Sequence, residues 1–248
     1  ALAAMVFASV LSGCGGDKKK AADTGNTIKV GASFELTGNV ANYGKSILSG
    51  FKMAADEANK TGINGKKIEV IESDNKSEPS ESGNSITKLV TQNKVVAVVG
   101  PATSGCVAAG APITAANKIP HIAPSATAPG ITVDNGKVRE FMFRACFIDP
   151  FQGQVMATFA SNTLKVKNVA ILFDSSSDYS KGLASVFQQT LEGKGGKIVA
   201  KEAFLSKDVD FKASLTKIKA TNPEAIYVPG YYEEVSKIIK QAREIGIT

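Results

Sequence analysis

The chain has 248 residues, 43% of them hydrophobic and 21% charged, with a formal net charge of +6. At roughly 150 residues per domain this suits one or two globular domains, with a core large enough to need neither disulfides nor a structural metal. The one tight basic run, Lys18-Lys19-Lys20, sits in a polar stretch and the other lysines alternate with Asp and Glu, a pattern that argues against a nucleic-acid surface of clustered Arg and aromatics.

In chain order, Ala1 to Gly13 carry no charge and end at Leu11-Ser12-Gly13-Cys14. Thirteen residues are too few to span a bilayer but fit the apolar core of a secretory signal. Leu-Ser-Gly-Cys resembles the lipobox of bacterial lipoproteins, and the resemblance implies acylation of Cys14 and anchoring at an outer membrane surface. The alternative is an apolar strand that happens to end in Cys. Residues 15–26 are polar and rich in Gly, Lys and Ala, so residues 14–26 read as a tether behind a partial signal peptide, residues 1–13. The missing initiator Met and the ending at Gly246-Ile247-Thr248 lead us to expect a piece of a longer protein.

From Thr27 onward apolar runs alternate with helical patterns. Strands are expected at 28–34, 68–71, 95–99, 121–122 and 141–144. Helices are expected at 44–60, 80–93 and 104–117, the last kinked at Pro112. The pattern restarts at Pro150, with helices at 150–163, 179–192, 211–220 and 233–245 and strands at 169–173, 197–204 and 225–228. Gly246 is a fitting C-terminal cap. Alternating strand and helix units predict an α/β fold with parallel sheets covered by helices on both faces. We divide it into an N-terminal lobe, 27–146, and a C-terminal lobe, 147–248, with a hinge near 146–151. Between Val95 and Val133 only Lys118 is charged, which indicates buried sheet and loops that face something other than bulk water.

In parallel sheets ligands bind outside the C-terminal strand ends. After the 95–99 strand comes Gly100-Pro-Ala-Thr-Ser104-Gly105, and after the 121–122 strand comes Ala123-Pro-Ser125-Ala126-Thr127. Ser104 would stand at a helix start, where free N–H groups and the dipole favour an anion. Together the two loops could cradle one carboxylate without a cationic side chain. Taken singly, Ser104 is also a plain cap and Ser125 and Thr127 are turn residues. Tyr43 follows the first strand, and Tyr179 and Tyr231 stand near strand ends of the second series, as aromatic walls or as packing anchors. No nucleophile elbow, P-loop or dinucleotide fingerprint occurs in the right context. A hydrolase using Ser104 with His121 as base remains a third reading, behind a binding protein and a signalling sensor. Cys106 and Cys146 have no metal-ligand spacing with the single His and read as small buried apolar residues. No metal, cofactor or catalytic residue is expected.

In combination, Ile28-Lys-Val-Gly-Ala, Thr37-Gly38 with Tyr43-Gly44, Val98-Val-Gly100-Pro with Ser104, Ile119-Pro-His-Ile-Ala-Pro-Ser-Ala-Thr127, Arg144 with Asp149-Pro-Phe-Gln-Gly153, and Tyr179-Ser-Lys-Gly182 resemble solute-binding lipoproteins of ABC importers. The branch is that of the leucine/isoleucine/valine-binding proteins. The resemblance covers about Thr27 to Thr248. It implies two Rossmann-like lobes of the type I periplasmic-binding-protein fold, the second incomplete, that close on a small amino acid and deliver it to an ABC permease. It places the ligand carboxylate on Ser104 and on Ser125, Ala126 and Thr127, with Thr127 also helping to hold the ammonium. Tyr179 and Tyr231 would close over the ligand and Tyr43 would line the pocket. The family's acidic ammonium partner would lie beyond Thr248, which keeps binders of amides, urea or aromatic acids in view.

Overall fold

The computed structural model describes residues 25–248; the signal segment, Cys14 and most of the tether lie outside the described residues. The first sheet is formed by β1 (Thr27–Phe34), β2 (Lys67–Asp74), β3 (Ala97–Val99), β4 (His121–Ala123) and, later in the chain, Met142–Arg144. Helices α1 (Ala41–Thr61), α2 (Pro79–Thr91) and α3 (Ser104–Ala116) connect the first four strands. Between β4 and the last strand lies a short antiparallel hairpin, β5 (Val133–Asp134) and β6 (Lys137–Val138), which makes Met142–Arg144 strand β7. The sheet order is β2-β1-β3-β4-β7, parallel throughout.

The chain then enters α4 (Asp149–Thr158), which continues into a π-turn at Phe159–Thr163. A second parallel sheet follows, built from β8 (Asn168–Asp174), β9 (Lys197–Phe204) and β10 (Ala225–Tyr227) in the order β10-β8-β9. Its helices are α5 (Asp178–Gly193), α6 (Lys212–Ala220) and α7 (Tyr232–Glu244). Strand β8 shows why helices must cover both faces. Val169 and Ile171 pack with Phe187 and Leu191 on one side, while Ala170 and Leu172 pack with Leu215, Ile218 and Ile238 on the other. A strand apolar at every position cannot present either face to water.

Several boundaries differ from expectation for local reasons. The third strand begins at Ala97 instead of Val95, because the Val95 N–H is bonded to the Leu89 carbonyl at the end of α2. Val96 is left exposed. Helix α3 runs through Pro112 as one element. Helix α1 starts at Ala41, so Tyr43 belongs to its first turn and not to a loop. The β5–β6 hairpin was not expected. Its turn is Asn135-Gly136, both residues at positive φ, the backbone that a two-residue hairpin requires. Both described cysteines are free, and Cys146 is half-buried instead of buried.

Candidate functional site

Each sheet has one place where the strand order reverses. In the first it lies between β1 and β3, in the second between β8 and β10. Helices leave such neighbours toward opposite faces, which opens a crevice at the C-terminal strand ends. Both crevices contribute to one cavity of about 340 Å³, a volume suited to a small molecule. From the first sheet it is lined by Tyr43, Ser46, Ile47, Ala102, Thr103, Ser104, Ser125 and Thr127, from the connection and α4 by Phe147 and Gln152, and from the second sheet by Tyr179 and Tyr231. Six of the seven residues expected at the site are thus brought together. Ala126 contributes no side chain to the lining: that side chain is buried in the apolar cluster behind the loop, its carbonyl accepts from Arg144 Nη1 at 3.1 Å, and only its backbone N–H is unpaired.

The cradle is assembled by hydrogen bonds between loops. Ser125 Oγ donates to the Ala102 carbonyl at 2.7 Å, which ties the two loops together and engages that hydroxyl proton. Ser104 Oγ accepts from the Ala128 N–H at 3.2 Å, so its own proton is free to point elsewhere. Among the described residues, the backbone N–H groups of Ser104, Gly105, Ala126 and Thr127 donate to no acceptor. The anion donors are therefore chiefly backbone amides plus the Ser104 hydroxyl, with no charged side chain in the lining.

Glu35, just past β1, was missed by sequence reasoning and holds the loop in shape. Its fully buried carboxylate accepts from the N–H groups of Ala102 and Thr103 at 2.9 and 3.0 Å and from the Thr103 hydroxyl at 2.7 Å. Burial first, and then the Glu35 charge, push the nearby Cys106 thiol up to about 12, so it stays protonated and inert. A second fixture is His121. Its Nε2 donates to the Gly100 carbonyl at 2.5 Å, and Nδ1 faces the Thr114 hydroxyl at 3.2 Å. Burial lowers its pKa to about 4, so the ring is neutral near pH 7. Both nitrogens are engaged away from Ser104, which removes the Ser104–His121 hydrolase pairing.

The opposite wall is aromatic. Tyr179 and Tyr231 are stacked, with ring centroids 5.2 Å apart and planes within 4°. Tyr43 meets Tyr231 edge-on at 6.1 Å and Tyr232 at 5.0 Å. Burial is the first cause that raises the pKa of Tyr43, Tyr179 and Tyr231, so these phenols remain neutral donors. A neighbouring space of about 470 Å³ is larger but is lined by Glu78, Asp174, Asp178, Lys207 and Glu234. Its lining is charged where that of the smaller cavity is not, and we take the smaller cavity as the site.

Residues 27–248 match the family described as periplasmic binding protein. The chain belongs to the periplasmic binding protein family. Relatives within it include the branched-chain amino acid transporter substrate binding protein LivJ of Streptococcus pneumoniae, solved in complex with isoleucine, at 46% identity and a TM-score of 0.83 over 90% of this chain and 62% of that one. The leucine binding protein LivK of Thermotoga maritima is 37% identical, with a TM-score of 0.84 over 89% of this chain and 61% of that one. The Leu/Ile/Val-binding protein BraC3 of Rhizobium johnstonii is 34% identical over 88% of this chain and 59% of its own length. This periplasmic binding protein chain therefore spans about three-fifths of the length of these relatives. Its fold is the type I fold of the two solved relatives. Among the described residues no helix is long and apolar enough to cross a membrane.

Proposed function

We propose that this chain binds a small amino acid, with branched-chain aliphatic side chains as the leading class, between lobes formed by residues 27–146 and 147–248. The observation that carries this reading is the pair of unpaired amides at Ser104 and Thr127 in a cavity that the Tyr179–Tyr231 stack also lines. Neutral donors at a helix start hold a carboxylate well, because desolvated amides need no rearrangement and bring no counter-charge. Ile47 and Phe147 in the lining supply apolar contact for an aliphatic side chain. The names of the relatives, which include leucine- and isoleucine-binding proteins, support the same class. The receptor would act outside the cytoplasm, lipid-anchored through Cys14, and pass its ligand to an ABC permease.

Isothermal titration against the twenty amino acids, with benzoate and urea alongside, tests the ligand class. Binding confined to leucine, isoleucine and valine is the expected result, and silence across the amino acids would sink the reading. Permease and ATPase genes adjacent to the coding sequence are expected for import; a signalling gene in their place would favour a sensor.

A further inference from the structure

The five strands of the first sheet are parallel, so their starts gather at one end, opposite the cavity. The segments that arrive there, residues 60–67, 92–96 and 117–120, carry Lys60, Lys66, Lys67, Lys94 and Lys118 and no Asp or Glu. All five lysines are exposed, and none belongs to an ion pair among the described residues. Lys67 Nζ donates to the Asn59 carbonyl near the end of α1. Glu140 precedes β7 at the sheet's far edge, and Asp56, Glu57 and Glu69 lie further from this end.

Helix ends favour a cation, which accounts for one charge after each helix but not for this surface. Lys94 and Lys118 take positive φ, 58° and 54°, a backbone that Gly or Asn adopts at lower cost. Lys66 closes a tight turn through Asn64-Gly65, bonded to Ile63 in both directions at 2.8 and 3.0 Å, and answers no helix end. Two large apolar side chains are exposed among these lysines in the chain, Ile63 at 44% and Val96 at 54%. Cations flanking exposed apolar residues suit anionic headgroups that overlie acyl chains.

We infer that this end of the first sheet is a membrane-facing surface that docks on anionic phospholipid headgroups through its lysines, with Ile63 and Val96 entering the interface. The inference rests, for its orientation, on the lipid-anchored reading above. The chain enters the sheet at this same end: one residue before β1, the Asn26 carbonyl accepts from the Lys67 N–H at 3.1 Å. Cys14 stands twelve residues before Asn26, with Lys18-Lys19-Lys20 between them, a length of at most about 40 Å. Acyl chains on Cys14 therefore keep the lysines near the headgroups, whose attraction falls off within about 10 Å. Docking in this pose leaves the cavity, at the opposite strand ends, clear of the bilayer and open to ligand.

The test is sedimentation of the 248-residue chain carrying Cys14→Ser, which removes the acylation site, with phosphatidylcholine vesicles and with vesicles in which about one lipid in three is phosphatidylglycerol. Partition onto the anionic vesicles is expected to be at least tenfold stronger. Lys60→Gln, Lys66→Gln, Lys94→Gln and Lys118→Gln together are expected to remove that preference. The same change at Lys165, Lys167, Lys194 and Lys197, which lie at the corresponding end of the second sheet, is expected to lower anionic partition by less than threefold. Ile63→Ser with Val96→Ser is expected to lower it by threefold or more. Equal partition onto both vesicle types, equal losses from the two lysine variants, or no vesicle binding, as an acidic soluble partner would give, overturns the inference. Because Cys14 is replaced in every arm, these outcomes leave the anchor reading intact. That reading fails separately, if the wild-type chain takes up no labelled palmitate in cells.

Discussion

At the residue scale, the site depends on a few groups whose hydrogen bonds are already assigned. Ser104 accepts from Ala128 and keeps its own proton available. Ser104→Ala is therefore expected to remove one hydrogen bond to the ligand carboxylate, worth about 1.5–3 kcal/mol to a charged group, a loss that titration with the cognate amino acid measures directly. His121 makes a different prediction. Its folded-state pKa of about 4 lies below the usual His value of 6.5, so between those pH values the unfolded chain takes up a proton that the folded chain refuses. The stability this confers is full above pH 6.5 and is lost as pH falls toward 4, on the order of 3 kcal/mol in all. His121→Gln is expected to flatten the stability profile across that window, as followed by urea unfolding at pH 7, 5.5 and 4.5. A profile as steep as that of wild type would show that other groups govern acid unfolding.

At the element scale, most strands and helices were legible because both faces of a covered parallel sheet must be apolar and each helix needs one apolar stripe. The failures came where a tertiary bond overrides local pattern. Val95 and Val96 read as strand, but the end of α2 claims the Val95 amide. Tyr43 read as loop, but α1 begins earlier because its first turn lies against Glu35. Gly44 makes that approach possible: a Cβ there would stand 2.2 Å from the Glu35 carbonyl oxygen. Backbone cannot give way as a side chain tip can. Gly44→Ala is thus expected to destabilise the protein by about 1–3 kcal/mol despite the better helix propensity of Ala, and to weaken ligand binding as well, since Glu35 anchors Ala102 and Thr103. Thermal unfolding and titration of the same variant check both parts. The Asn135-Gly136 hairpin is the opposite case, a turn signal that was present in the sequence and passed over.

At the scale of the whole molecule, the two sheets are held together around the cavity by contacts distant in sequence. The Tyr232 hydroxyl accepts from the Asn42 N–H at 3.3 Å, Tyr43 packs on Tyr231 and Tyr232, and Lys207 pairs with Glu78 in the neighbouring space. An exposed ion pair contributes little, about 0–1 kcal/mol, and salt screens it. Because this one joins the first sheet's helix start to the loop after β9, its loss is expected to act on how firmly the two sheets hold together. Lys207→Ala is expected to weaken ligand binding by up to about fivefold at low salt, with the difference from wild type vanishing near 1 M sodium chloride. A deficit that persists at high salt would mean that Lys207 acts through packing and not charge.

The sequence by itself determined the α/β class, the alternation that makes two parallel sheets, and the placement of Ser104, Ser125, Thr127, Tyr179 and Tyr231 just past strand ends, because these follow from periodicity and chain order. Only the tertiary structure decided which polar groups remain free. It spends the Ser125 proton on Ala102, turns both His121 nitrogens away from Ser104, buries Ala126, sets Glu35 under the loop, and leaves Asp149 buried without a partner. Hydrogen-bond satisfaction depends on residues up to 190 positions apart. Such pairings are a property of packing, and no local pattern in the chain encodes them.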